Sequence, residues 1–218
     1  MTSIRHIAAS EAVIDDADHP AVPDPLLVAA RDVIMTHGPR RATLTEVARQ
    51  AGVSRMTVYR RFESFDRLMS ALLTQELREI LTEIPLPQPD AGPARQQAVD
   101  LIVAGTQAIA DHPLVRRVLA VDPEYLTPLM VTRFGQTQRS AAALLTPLLA
   151  AGMTSQGGDG SIRDTDPAGL ALACVTATQS FIFAAPALES RPEGAAALAQ
   201  LRPLIAGLLR PDTQGETP

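Results

Sequence analysis

The stretch from Thr43 to Phe62 constrains this chain more than any other part of it. Thr43-Leu44-Thr45-Glu46 has the form of a capping box, in which a hydroxyl and a carboxylate three residues apart satisfy each other's orphan amides at a helix start. Leu44, Val47, Ala48 and Ala51 recur at helical spacing, which predicts a helix over about Thr43–Ala51 with one apolar stripe. Gly52 supplies a left-handed turn residue, Val53 is expected to point inward, and Ser54 can cap a second helix over about Ser54–Phe62. That helix buries Val58 and Phe62 and leaves Arg55, Met56, Thr57, Tyr59, Arg60 and Arg61 for its other faces. Two short helices crossing at a tight turn, with the small Ala48 where they approach, make a helix-turn-helix.

Such a unit lets its second helix enter a DNA major groove while the first crosses the phosphate backbone. Thr43 and Tyr59 are expected to donate to phosphate oxygens, together with the amides at the two helix starts, where Ser54 also stands. Arg55 and Met56, early on the second helix, are the candidates for base edges. A guanidinium can meet guanine bidentately, and a thioether can meet a thymine methyl. Thr57 fits either role. Arg60 and one of Arg40 and Arg41, with Arg41 carried as the candidate, add phosphate charge.

Charge points the same way. The chain carries a net −5, yet Gly38–Phe62 holds six arginines against one acid, a window of +5 in a remainder of −10. A basic island in an acidic chain is a docking surface for a polyanion or else a solvated charged face. All 19 basic residues are arginine. The composition, 46% apolar and 20% charged with only 3% aromatic, supports a packed all-helical protein and excludes global disorder.

The remaining helices follow from caps and punctuation. Asp24, Pro25 and Gly38 bound a helix over Asp24–His37 with Leu26, Leu27, Ala30, Val33 and Ile34 on one face. Further helices are expected at about Phe65–Glu83, Ala94–Ala110, Leu114–Val121, Glu124–Ala151, Pro167–Ala185 and Glu193–Leu209, about nine in all. Asp122-Pro123 and Asp166-Pro167 read as helix starts, and Pro128, Pro147 and Pro203 should shorten, bend or split their helices. Ile84–Pro93 reads as a linker and 152–163 as a flexible loop. Residues 1–23 are expected to be a mobile tail, 24–70 the DNA-binding domain, 71–210 a helical ligand-binding and dimerisation domain, and 211–218 a second tail.

The run Thr43–Phe62, with Ala51-Gly52-Val53-Ser54 and Thr57-Val58-Tyr59 in register, resembles the DNA-binding domain of TetR-family transcription regulators, and the likeness extends from about Asp24 to Leu77. Two positions depart from the family pattern. Phe65 stands where the family commonly has a phosphate-contacting Lys, so that contact is not carried over, and Arg67 compensates weakly at best. Arg60 replaces the usual His and keeps a donor. The resemblance implies a homodimer, usually a repressor, released from palindromic operator DNA by a small effector. It also implies that the last two long helices, about Pro167–Ala185 and Glu193–Leu209, form a four-helix dimer interface.

The effector site is less legible. Tyr125, Met130 and Phe134 recur at nearly helical spacing, and Gln179 and Phe183 lie four apart; these fit a pocket lining or plain core and interface. Arg133 pairs with an anionic ligand or with solvent. The apolar bias points to a hydrophobic effector. No cofactor, metal site or catalytic residue is expected, because the four His are scattered and neither a nucleophile elbow nor a phosphate-cradling loop appears. The lone Cys174, in an apolar run, reads as a small buried hydrophobe in a reducing compartment. The start lacks a secretory signal, and no uninterrupted apolar run is long enough for a membrane span, so a cytoplasmic, nucleoid-associated protein without a membrane partner is expected. The alternatives are a helical protein-interaction module with a vestigial DNA-binding head, or an activator.

Overall fold

The computed structural model describes residues 24–85, 92–123 and 136–212. Every regular element among them is helical, so the fold is all-α with a helix-turn-helix toward its N-terminal side. The helices are α1 (Pro25–His37), α2 (Leu44–Gln50), α3 (Arg55–Arg61), α4 (Phe65–Glu83), α5 (Ala94–Asp111), α6 (Pro113–Val121), α7 (Gln136–Ala150), α8 (Pro167–Glu189), α9 (Gly194–Leu198) and α10 (Leu201–Leu209). The expected tail 1–23, most of the linker before Pro93, the first part of the helix expected from Glu124, Pro128 and residues 213–218 lie outside the described residues.

One compact unit contains α1–α4 and α6. The α1 helix begins where Asp24 Oδ1 accepts the Leu26 amide at 3.0 Å, with Pro25 in the first turn. Its buried face is Leu26, Leu27, Ala29, Ala30, Val33 and Ile34. The α4 helix begins at Ser64, whose Oγ accepts the Arg67 amide at 3.2 Å. Its buried residues Leu68, Met69, Leu72, Glu76 and Ile80 hold a four-residue period, so one stripe faces inward. Glu76 is the exception in that stripe, a carboxylate only 5% exposed. It is met by Arg31 Nε of α1 at 3.3 Å and by His112 Nε2, just before α6, at 3.1 Å. Burial raises the Glu76 carboxyl above its ordinary value, against the pull of Arg31. Burial also lowers the His112 imidazole, and the Arg31 charge pushes it further the same way.

The other unit contains α5 through Ala108 and α7–α10. Its core joins Ala98, Val99 and Ile102 of α5, Leu149 of α7, Cys174 of α8 and Leu201, Ile205 and Leu209 of α10. Each large side chain buried there contributes about 1.5–3 kcal/mol of transfer free energy. Cys174 is fully buried, and burial pushes its thiol up to about 11.

The structure corrects two expectations, the flexible loop at 152–163 and the end of α8. Residues 152–163 form a bonded turn: Asp159 Oδ2 accepts the Ala94 amide at 2.8 Å and Ser161 Oγ accepts the Arg95 amide at 3.0 Å. Because Pro93 cannot cap α5, this turn does so, and Ile162 is buried beside it. The last expected helix is split, as expected of a helix containing Pro203, into α9 and α10, with Pro203 in the first turn of the second, where its missing N–H costs no bond. The α8 helix runs on to Glu189, past the expected end at Ala185, with Pro186 in its last turn. By length and composition α8 also passes as a candidate membrane span, with an 18-residue window of mean hydropathy 1.6 of which 33% is buried, which leaves the expectation of no uninterrupted apolar run in place. The polar residues Thr176, Thr178, Gln179 and Ser180 interrupt this helix, which is why no continuous apolar run stands out in the sequence.

Candidate nucleic-acid interface

The interface is built by two caps and a turn. Thr43 Oγ1 accepts the Glu46 amide at 3.2 Å and starts α2. Only this half of the expected box forms, because the Glu46 carboxylate is taken by Arg49, at 2.6 Å from Nη2. That guanidinium holds the Glu46 carboxyl below its ordinary value. At the other end of α2 the Val53 amide donates to Ala48 O at 3.0 Å and the Gly52 amide to Arg49 O at 3.3 Å. These two bonds are the Schellman pattern, and Gly52 takes its left-handed residue at φ +68°. Val53 is therefore the residue just beyond the cap. It is 37% exposed rather than pointing inward, a second departure from the sequence reading of this turn.

Ser54 starts α3 by accepting the Thr57 amide at 3.1 Å, and the Ser54 and Thr57 hydroxyls lie 2.8 Å apart. The Ser54 hydroxyl can donate to Thr57 Oγ1, which leaves the Thr57 O–H to donate outward. Val58 is fully buried and Phe62 nearly so, which fixes the inner face of α3. By helical spacing Met56 and Arg60 lie opposite Val58, with Tyr59 on one shoulder. Met56 is 75% exposed and Tyr59 49%, unusual for residues whose apolar surface normally seeks the core. Arg41, Thr43, Ser54, Arg55 and Arg60 are exposed, and Thr57 is half-buried.

The six arginines of the basic island separate into two sets. Arg40 reaches Asp122 (Nε to Oδ1 3.1 Å), Arg49 reaches Glu46, and Arg61 reaches Asp24 at 2.5 Å while lying over the Phe62 ring. Arg41, Arg55 and Arg60 meet no carboxylate among the described residues. All three arginines carried as DNA contacts from the sequence fall in this second set.

Sequence reasoning missed Asp24 and Asp122 as counter-ions and the Arg31–Glu76–His112 cluster. Asp24 is legible there only as a cap. Asp122 reads as a helix start, whereas it closes α6 and turns its carboxylate to Arg40. Of the expected effector-site residues, Tyr125, Met130, Arg133 and Phe134 lie outside the described residues. Gln179 and Phe183 are half-buried on α8. A surface cleft of about 560 Å³ is lined by Pro93, Arg95, Gln96, Ser161, Arg210, Pro211 and Asp212, and includes neither of them.

An all-helical chain with this exposed, partly unpaired basic face on a helix-turn-helix is a DNA-binding transcription regulator. Residues 26–72 match the bacterial regulatory proteins of the tetR family. A helix-turn-helix transcriptional regulator of Mycobacterium tuberculosis strain H37Rv is 33% identical over 184 residues, covering 84% of this chain and 92% of that protein. The chain belongs to the TetR family. Among solved structures, a TetR-family regulator from Pectobacterium atrosepticum superposes with a TM-score of 0.62 at 20% identity, covering 84% of this chain and 92% of the other. The regulator FadR of Bacillus subtilis, solved in complex with stearoyl-CoA, superposes with a TM-score of 0.58 at 15% identity, covering 85% of this chain and 98% of that one. At these identities the two structures speak to the fold.

Proposed function

We propose that this regulator is a homodimeric repressor that binds palindromic operator DNA and leaves it when a small hydrophobic effector binds. The observation that carries the DNA part is the second set of arginines: Arg41, Arg55 and Arg60, beside exposed Tyr59 and Met56, are a cationic surface with no internal anion to satisfy it among the described residues. Arg55 and Met56 read base edges; Arg41, Thr43, Ser54, Thr57, Tyr59 and Arg60 hold the phosphates on either side. One α3 of seven residues reads few base pairs, and two copies related by a dyad read a palindrome. The dimer reading is supported by α8, whose apolar window is only a third buried and which leaves Leu172 40% exposed, with Leu204 of α10 49% exposed. The effector reading is supported by the apolar bias of the chain and by the stearoyl-CoA held by a structural neighbour. Effector release is a population shift, in which ligand favours a dimer whose recognition helices no longer match successive grooves. The protein works by binding and release, in the cytoplasm and on the nucleoid.

The test is a mobility-shift titration with DNA from upstream of the protein's own gene. Binding that falls steeply with salt, and that weakens in Tyr59→Phe and Arg55→Ala, is the expected result. Indifference to both substitutions would leave the helix-turn-helix as a protein-interaction module.

A further inference from the structure

The turn between α1 and α2 carries Arg40 and Arg41 and delivers the chain to the Thr43 cap, yet it is held from outside the helix-turn-helix. Arg117 of α6 donates from Nη2 to the Thr36 carbonyl at 3.2 Å. Asp122, which closes α6, takes Arg40 Nε on one oxygen at 3.1 Å and faces the Arg40 backbone amide with the other at 3.4 Å. Gly38 is buried at φ +80°, and a Cβ there would stand 3.0 Å from Val121 Cγ1 and 3.4 Å from Asp122 Oδ2. Backbone, side chain and packing thus fasten one short turn to the last two turns of α6.

Asp122 is 8% exposed, so its charge has lost most of its hydration and depends on Arg40 for compensation. An arginine bound to a buried carboxylate is held against reaching for solvent-side phosphate, whereas its neighbour Arg41 has no such tie. The geometry points to Asp122 as a positioning residue for DNA binding. Acting through Arg40, it sets the turn that presents Arg41 and Thr43, and it makes the end of α6 part of the recognition head. Arg40 is then a strut and Arg41 the phosphate contact. The inference rests on the DNA-binding reading, and the experiment separates the two.

The probe is the duplex that the parent protein enriches from a random-sequence DNA pool, titrated over a salt series with Asp122→Ala, Arg40→Ala, the double variant and Arg41→Ala. Asp122→Ala and Arg40→Ala should each weaken binding about 3- to 10-fold, with the salt slope of the parent, and the double variant should be no weaker than the worse single one. Arg41→Ala should lower the slope by about 0.9. Asp122→Ala binding as tightly as the parent, or Arg40→Ala lowering the slope as Arg41→Ala does, would overturn the inference. Hydrogen exchange on the DNA-free protein gives a second readout. Amides of residues 36–43 should exchange faster in Asp122→Ala while those of α5 keep their protection; unchanged protection in the turn would also overturn it. A parent protein that enriches no sequence sinks the DNA-binding reading, and the exchange result then decides whether Asp122 holds the turn at all.

Discussion

Six arginines stand within twenty-five residues, and at the scale of single side chains the question is which of them face a partner outside the chain. Three are neutralised by Asp122, Glu46 and Asp24. The Arg49–Glu46 pair is exposed and adds little to stability, but each of the three pairs removes an arginine from the field a phosphate would feel. Alanine at Arg41 or Arg60 should therefore lower the slope of log affinity against log salt by about 0.9 for each phosphate left without its arginine, whereas Arg55, assigned to a base edge, is tested by sequence preference instead. Alanine at Arg49 or Arg61 should leave that slope alone. Anisotropy titrations between low and moderate salt distinguish the two sets, and a uniform fall across all four variants would refute the division. The basic island is legible in the sequence; the division is not. Glu46 lies within one helical turn of its arginine, but Asp24 and Asp122 are distant in sequence from Arg61 and Arg40, and nothing local announces them.

Elements whose ends are set by neighbouring residues are legible, and elements set by distant ones are not. Thr43 and Ser54 cap α2 and α3 from the adjacent position, so those helices start where the sequence says. Val53 departs from its inward expectation because the Schellman bonds at Gly52 fix its place and lift it out of the stripe that the period suggests. The cap of α5 comes from Asp159 and Ser161, more than sixty residues away, so a run of Gly, Ser and Asp reads locally as free. The Arg31–Glu76–His112 cluster is of the same kind and joins α1, α4 and the start of α6. His112 Nδ1 is buried without a hydrogen-bond partner, which agrees with a ring kept neutral. Because its folded pKa lies below the usual 6.5, the unfolded chain takes the proton first. The stability that the neutral ring supplies is present above about 6.5 and is lost as pH falls through and below that value. Glu76, shifted upward, acts in the opposite sense, since its folded form binds a proton more readily than the unfolded one. Replacing His112 by Gln keeps a donor for Glu76 and removes the titration. Between pH 7 and 5.5 the parent should lose more stability than His112→Gln in urea melts. Parallel pH profiles would contradict this.

At the scale of the whole molecule, the family and all-α class are open to the sequence because the head's residues are local and chemically distinctive. The remainder, built from Ala, Leu and Gly, carries little that separates core from interface or pocket. Half-buried Gln179 and Phe183 show this, since either role fits them. The α8 helix is largely apolar and one chain buries a third of its apolar window, and in the proposed dimer a second copy covers the rest. The double variant Leu172→Glu/Leu204→Glu should run as a monomer in light scattering and bind operator DNA at least about tenfold more weakly, since each half-site is then bound alone. A variant that stays dimeric would place the interface elsewhere. The central claim, that α3 reads bases in a major groove, is tested most directly by selecting bound sequences from random DNA with the parent protein and with Arg55→Ala. The account predicts a palindrome for the parent and, for the variant, loss of preference at one base pair in each half-site with the rest intact. Identical motifs from both proteins, or no motif from the parent, would contradict it.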